Sequence, residues 1–179
     1  QWTSKEAADA AWNQWVQNAE AAAWQEKYED VLVCNGEARN GFEGVFPLGA
    51  EEFGELPKSG YFFSAVWLCK YNEGFGGADA KEFLPKFTKT VRNSSGYAGT
   101  SYHFGNYYSD SNPDADFLWG DFTNSRESMI QATTAFQKDV QPTMFPMFSK
   151  FAACGETPDE YNGWMLYDAE NKDFMPTFL

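Results

Sequence analysis

Over the first two dozen residues, apolar side chains recur at spacings of three and four: Trp12, Trp15, Val16, Ala19, Ala22 and Ala23. Asn13, Gln14, Gln17, Asn18 and Glu20 fill the other side. That period predicts an amphipathic helix over residues 3–24, opened by the capping box Thr3-Ser4-Lys5-Glu6. Val31-Leu32-Val33 predicts a short strand within Tyr28–Cys34, and Asn35-Gly36 a turn after it. Residues 35–60 carry Gly36, Gly41, Gly44, Gly49, Gly54 and Gly60 with Pro47 and Pro57, which predicts a long irregular connection.

From Tyr61 the period changes to two. Residues 61–71 predict a strand with Phe63, Ala65, Trp67, Cys69 and Tyr71 on one face, and Phe62, Ser64, Val66, Leu68 and Lys70 on the other. Residues 78–92 predict a helix striped by Phe83, Leu84, Phe87 and Val91, with Pro85 either in its first turn or at a kink. A second strand is expected over 97–108, with Tyr102, Phe104, Asn106 and Tyr108 on one face and His103 on the other. The turn SDSNPD at 109–114 leads into a third strand over 115–122, on which Phe117, Trp119 and Asp121 share a face. Asn124 or Ser125 caps a helix to about Gln137, and Val140–Ala153 forms another. A polar loop over 155–163 and a last strand, Trp164–Tyr167, complete the pattern before an apolar tail ending Phe178-Leu179.

The order strand, helix, strand, strand, helix, strand predicts an α+β fold. It is the ferredoxin-like split βαβ arrangement, an antiparallel sheet with helices on one face. Residues 1–60 read as an N-terminal helical and irregular arm, and residues 61–179 as the main domain. The uncovered sheet face is too rich in rings to meet water alone. Packing against a second copy, in a homodimer, is the expected solution.

Composition narrows the function classes. The chain has 179 residues, of which 18% are aromatic, and 26 acids against 13 bases give a net charge of −13. A general nucleic-acid backbone binder needs basic surface, so that class is excluded. No apolar run approaches the length of a membrane span. The chain opens on Gln1-Trp2, which fits removal of a leader and export to the cell exterior or an organelle lumen. Asn93-Ser94-Ser95 is a glycosylation sequon compatible with that route. Cys34, Cys69 and Cys154 show no zinc-ligand spacing; either one pair forms a disulfide or all three are buried thiols.

The segment 96–153 resembles the antibiotic-biosynthesis-monooxygenase-like family of dimeric α+β barrels. The resemblance rests on Gly96-Tyr97, on Asn112-Pro113-Asp114, on the strand Phe117–Phe122 with its acid Asp121, and on Asn124–Met129 opening a helix. It extends over roughly residues 61–168 and implies a pocket for a planar aromatic substrate whose own anion reacts with oxygen, with no cofactor. Residues 8–45, with Tyr28–Val33 after an amphipathic helix, are also similar to the opening of the SnoaL-like or nuclear-transport-factor-like cone family.

Among chemically active groups, His103 is the only histidine and the one side chain whose ordinary pKa lies near neutrality. His103 and Asp121 are the candidate catalytic bases. Trp67 and Trp119 are the candidate stacking walls, with Tyr102 and Asn106 completing a ligand site. Asp110, Asp114 and Asp116 have no calcium-loop spacing, and no metal site is expected. Two other readings stand beside the small-molecule pocket. One is a non-catalytic subunit docked in a larger assembly by its Trp-bearing arm and apolar tail. The other is a carbohydrate binder using exposed rings.

Overall fold

The structure is a computed structural model that describes residues 2–33, 36, 41–49, 51–109, 112–166, 171 and 173–177. Cys34, Asn35, Asp110, Tyr167 and the terminal Phe178-Leu179 lie outside the described residues. The chain divides into two compact units, Gln1–Arg39 and Asn40–Leu179.

In the first unit the expected single helix is two: α1 (Lys5–Gln17) and α2 (Ala19–Lys27). Asn18 makes the break. Its backbone is extended, and its side chain accepts from the Glu20 and Ala21 amides, capping the second helix. Ser4, rather than Thr3, caps the first, accepting from the Ala7 amide. Trp24 packs between Trp15 (ring centroids 6.1 Å) and Tyr28 (5.3 Å). The strand expected around Val31–Val33 does not form. Val31 bonds back to the Tyr28 carbonyl in a turn, and both valines are exposed.

In the second unit the elements are β1 (Glu43–Val45), β2 (Tyr61–Tyr71), α3 (Gly77–Arg92), β3 (His103–Tyr108), β4 (Phe117–Thr123), α4 (Arg126–Ala135), α5 (Gln141–Phe151), β5 (Ala152–Cys154) and β6 (Asp159–Trp164). The sheet is antiparallel throughout, in the order β1-β3-β4-β2-β5, with β6 also on β2. The segment 35–60 is therefore not wholly irregular, since β1 pairs with β3 along the sheet edge.

Three further boundaries differ from expectation. The second strand starts at His103, not Tyr97. Ser101 adopts φ 50°, its amide donates to the Phe53 carbonyl and its hydroxyl to the Glu55 carbonyl, so the preceding residues form a turn. Pro85 neither starts nor ends α3; it lies on the exposed side, where water can serve the carbonyl it leaves unpaired. The last strand pair lies upstream of 164–167, because residues 152–164 line the second edge of β2. Edge strands can be polar, and Asp159-Glu160-Tyr161-Asn162 carries no apolar alternation to betray a strand.

One face of the sheet carries the helices. Phe87 of α3 meets Phe104 and Trp119 edge-on at 5.0 and 4.9 Å between centroids, while Phe104 and Trp119 stack at 4.9 Å with 2° between planes. Such offset and perpendicular ring pairs gain beyond their buried area. Cys69, at 0% exposure, is joined to Cys154 by a disulfide that ties β5 to β2. Between α4 and α5, residues Phe136–Val140 widen into one π-helical turn. Pro142 follows directly and cannot donate to the Lys138 carbonyl, which removes a bond that would hold the tighter register.

Among the described residues, no helix of the second unit covers the opposite face. Its rings lie flat on glycines of neighbouring strands. A Cβ at Gly105 would meet Phe46 at 2.6 Å, and one at Gly163 would meet Phe62 at 2.3 Å. Phe46 touches Tyr107, and Phe62 touches Phe122, across the same face.

Candidate functional site

Strand alternation and register build the site. Trp67 on β2 stands directly opposite Trp119 on β4, and two residues on, Asp121 stands between Ala65 and Phe104. All of these side chains point to the helix-covered face. Ala65 is small and leaves room beside the carboxylate for longer neighbours. Trp67 Nε1 donates to Asp121 Oδ2 at 3.2 Å, Trp119 Nε1 donates to Oδ1 at 3.0 Å, and the Tyr102 hydroxyl donates to Oδ1 at 2.8 Å. One carboxylate is thus held by three neutral donors, from β2, from β4 and from the residue that leads into β3.

This group lies in the wall of a cavity of about 550 Å3 between the sheet and the helices. Phe83 and Phe87 of α3 form one side, Met129 and Ala132 of α4 and Phe148 of α5 another. The π-helical turn contributes Phe136 and Gln137. At the rim, Cys154, Gly155 and Glu156 follow the disulfide. A mostly apolar cavity with few convergent polar groups is the usual build of a small-molecule site.

The electrostatics are set by burial. Removal from water raises the Asp121 pKa, opposed by the hydrogen bonds from Trp119, Tyr102 and Trp67. Burial raises the Tyr102 hydroxyl well above its ordinary value, and the Asp121 charge pushes the same way. Tyr102 therefore stays protonated and donating. Tyr97, fully buried and tilted against Tyr102 with ring centroids 4.7 Å apart, is raised by burial first and then by the charges of Asp121 and Asp139.

Four of the six residues singled out from sequence meet here: Trp67, Tyr102, Trp119 and Asp121. Two do not. His103 is one residue along from Tyr102 and so points to the other face of the sheet, where it stacks on Phe122 at 5.0 Å and its Nδ1 lies 3.2 Å from the Ser101 carbonyl. Burial lowers its pKa. It is not a base for this cavity. Asn106 shares the cavity's face but is 1% exposed, sits between Val45 and Trp119 in the register, and does not line the cavity.

The sequence reading missed Tyr97, because it placed that residue in a strand, and Glu156, because the loop that carries it has no pattern. Phe83, Phe87 and Phe148 were visible as helix stripes, but nothing in a stripe separates a cavity wall from solid core. Among the described residues no group of three or more histidine, cysteine or acidic side chains is placed to hold a metal. Among the same residues no helix is long and apolar enough to cross a membrane. No family model, no curated protein and no solved structure matches the chain.

Proposed function

We propose that this chain is a small-molecule-binding α+β protein whose ligand seats between sheet and helices against Asp121. The observation that carries the reading is the carboxylate itself. An acid in a ring-lined cavity is costly to keep, yet two indoles and a phenol converge on it. Numbering β2, β3, β4 and the β5–β6 edge as first to fourth gives the spatial order second, third, first, fourth. This supports a ferredoxin-like domain; the oxygenase-like activity that the resemblance implies is a separate, second reading. In that reading Asp121 is the base that takes the substrate's proton, because the sole histidine lies on the other face. The Cys69–Cys154 bond suits an oxidising compartment.

The open sheet face supports self-association as the second part of the reading. Phe46 and Leu68 remain 38% and 39% exposed there, next to Phe62, Tyr107 and Phe122. A Phe122→Lys variant should shift a dimer to monomer in sedimentation velocity; an unchanged species would remove this part.

The pocket is tested with a solvatochromic naphthalene dye. Uptake near one dye per chain, lost when Ala132→Phe fills the cavity while the melting temperature changes little, is the expected result. Uptake unaffected by Ala132→Phe would place the dye elsewhere and overturn the reading.

A further inference from the structure

The charged side chains that line the cavity carry one sign. Asp121 lies in its wall and Glu156 at its rim, and no lysine, arginine or histidine lines it among the described residues. The donors on Asp121 are all neutral, and they are unevenly shared. Oδ1 accepts two, from Trp119 and Tyr102, while Oδ2 accepts only the longer bond from Trp67. A carboxylate oxygen can accept two donors, so Oδ2 keeps a free acceptor position. A half-buried carboxylate that meets no cation among the described residues gains most from one brought by the ligand. An anionic ligand would face two acids and find no positive partner. The remaining walls are mostly apolar or ring-bearing, with the neutral polar side chains of Thr133, Gln137, Gln141 and Ser149 among them, which suits a largely greasy body and favours a cation near aromatic rings.

Resting on the pocket reading above, we propose that the ligand is a lipophilic organic cation: a protonated amine on an aromatic or aliphatic body, its ammonium N–H donating to Asp121 Oδ2. The positive headgroup completes the carboxylate, and the body fills the space among Phe83, Phe87 and Phe148. Glu156 at the rim draws the same charge toward the entrance. The class differs from the enol or phenol substrates that an oxygenase resemblance implies, because such substrates react as anions and this cavity offers an anion no positive partner.

The test changes only the headgroup. Phenylbutylamine, phenylbutanol and phenylbutyrate are titrated into the full chain by calorimetry, and each competes against the naphthalene dye. The amine is expected to bind at least about tenfold more tightly than the alcohol, the size of one charge-assisted bond, and the acid more weakly than both. In Asp121→Asn the amine should lose its advantage while the alcohol still binds. An alcohol that matches the amine, an acid that exceeds it, an amine preference that survives Asp121→Asn, or dye uptake without amine binding would each overturn the cation assignment and leave the pocket standing. Because the headgroup order in the unaltered protein is decisive alone, the test does not depend on the variant folding. Failure of every probe, dye included, would overturn the pocket reading itself.

Discussion

Trp67 and Trp119 are direct cross-strand partners, and both indole N–H groups end on the same carboxylate. The pair is rigid for a reason in the backbone. β2 and β4 keep one register over seven residue pairs, from Phe63↔Thr123 to Cys69↔Phe117. Neither ring can shift along the sheet without breaking that ladder.

Trp67→Phe deletes the single donor to Oδ2 and keeps an aromatic, though smaller, ring at that position. A buried acceptor left short of a partner should cost about 1–3 kcal/mol, read as a lower urea midpoint. The Asp121 pKa should climb further, which carboxyl-carbon NMR would follow. An unmoved pKa would mean that the indole does not hold the acid.

Asp121 also has a pH signature. Its folded pKa is raised by burial above the unfolded value, so its contribution favours folding at low pH and is lost as pH rises through the folded pKa. Stability measured from acid toward neutrality should fall through that window in the native chain, and Asp121→Asn should remove that part of the profile.

Glu52 gives the opposite sign. The Arg92 guanidinium donates to both its oxygens, at 2.7 and 2.8 Å, and the Gly49 amide adds a third bond. Arg92 first and Gly49 second hold the Glu52 pKa at about 2, against an ordinary 4.5. The stability it adds is present above the ordinary value and lost as pH falls toward about 2. The pair is partly exposed, so the effect is small and weakens with salt. At low ionic strength Glu52→Gln should lower stability slightly at neutral pH and flatten the acid limb of the denaturation curve, with little difference from the native chain once the pH falls to about 2.

Cys69 and Cys154 are 85 residues apart. Chain-entropy reasoning assigns such a closure roughly 4–5 kcal/mol. Reduction, or Cys69→Ala with Cys154→Ala, should lower the denaturation midpoint strongly. Cys154 borders the cavity, so the same change should weaken dye uptake. A stable variant with unaltered uptake would show that β5 stays in place without the bond.

Phe87 touches Phe104, Trp119, Phe83 and Phe136 at once. Phe87→Ala should cost about 3–5 kcal/mol and enlarge the cavity. Phe87→Leu should cost less and retain binding.

Much of the sheet was readable before any coordinates. Residues 61–71 alternate so strictly that both faces of β2 follow from the sequence. Asp121 stood out as an acid on the apolar side of a strand. Alternation also put His103 on the opposite face from Tyr102 and Asn106, but it could not say which face the helices cover, nor that Asn106 would be sealed between its neighbours rather than open to the cavity. Asn18 was hidden for a different reason. An asparagine in an alanine-rich run breaks a helix only when its side chain caps the next turn, which is a local competition rather than a pattern. The edge strands β1 and β6 escaped because half of their bonding capacity faces solvent and their side chains need not be apolar.

Cys69 pairs with Cys154 and Val66 with Asp159, so four residues, 155–158, stand opposite only Trp67 and Leu68. The ladder absorbs the surplus by letting it bow out at the cavity rim, where Gly155 and Glu156 sit. Length and charge there can be rewritten without moving any paired strand. The entrance can therefore diverge without disturbing a paired strand, and swapping those four residues would retune what is admitted while the aromatic floor beneath stays as it is.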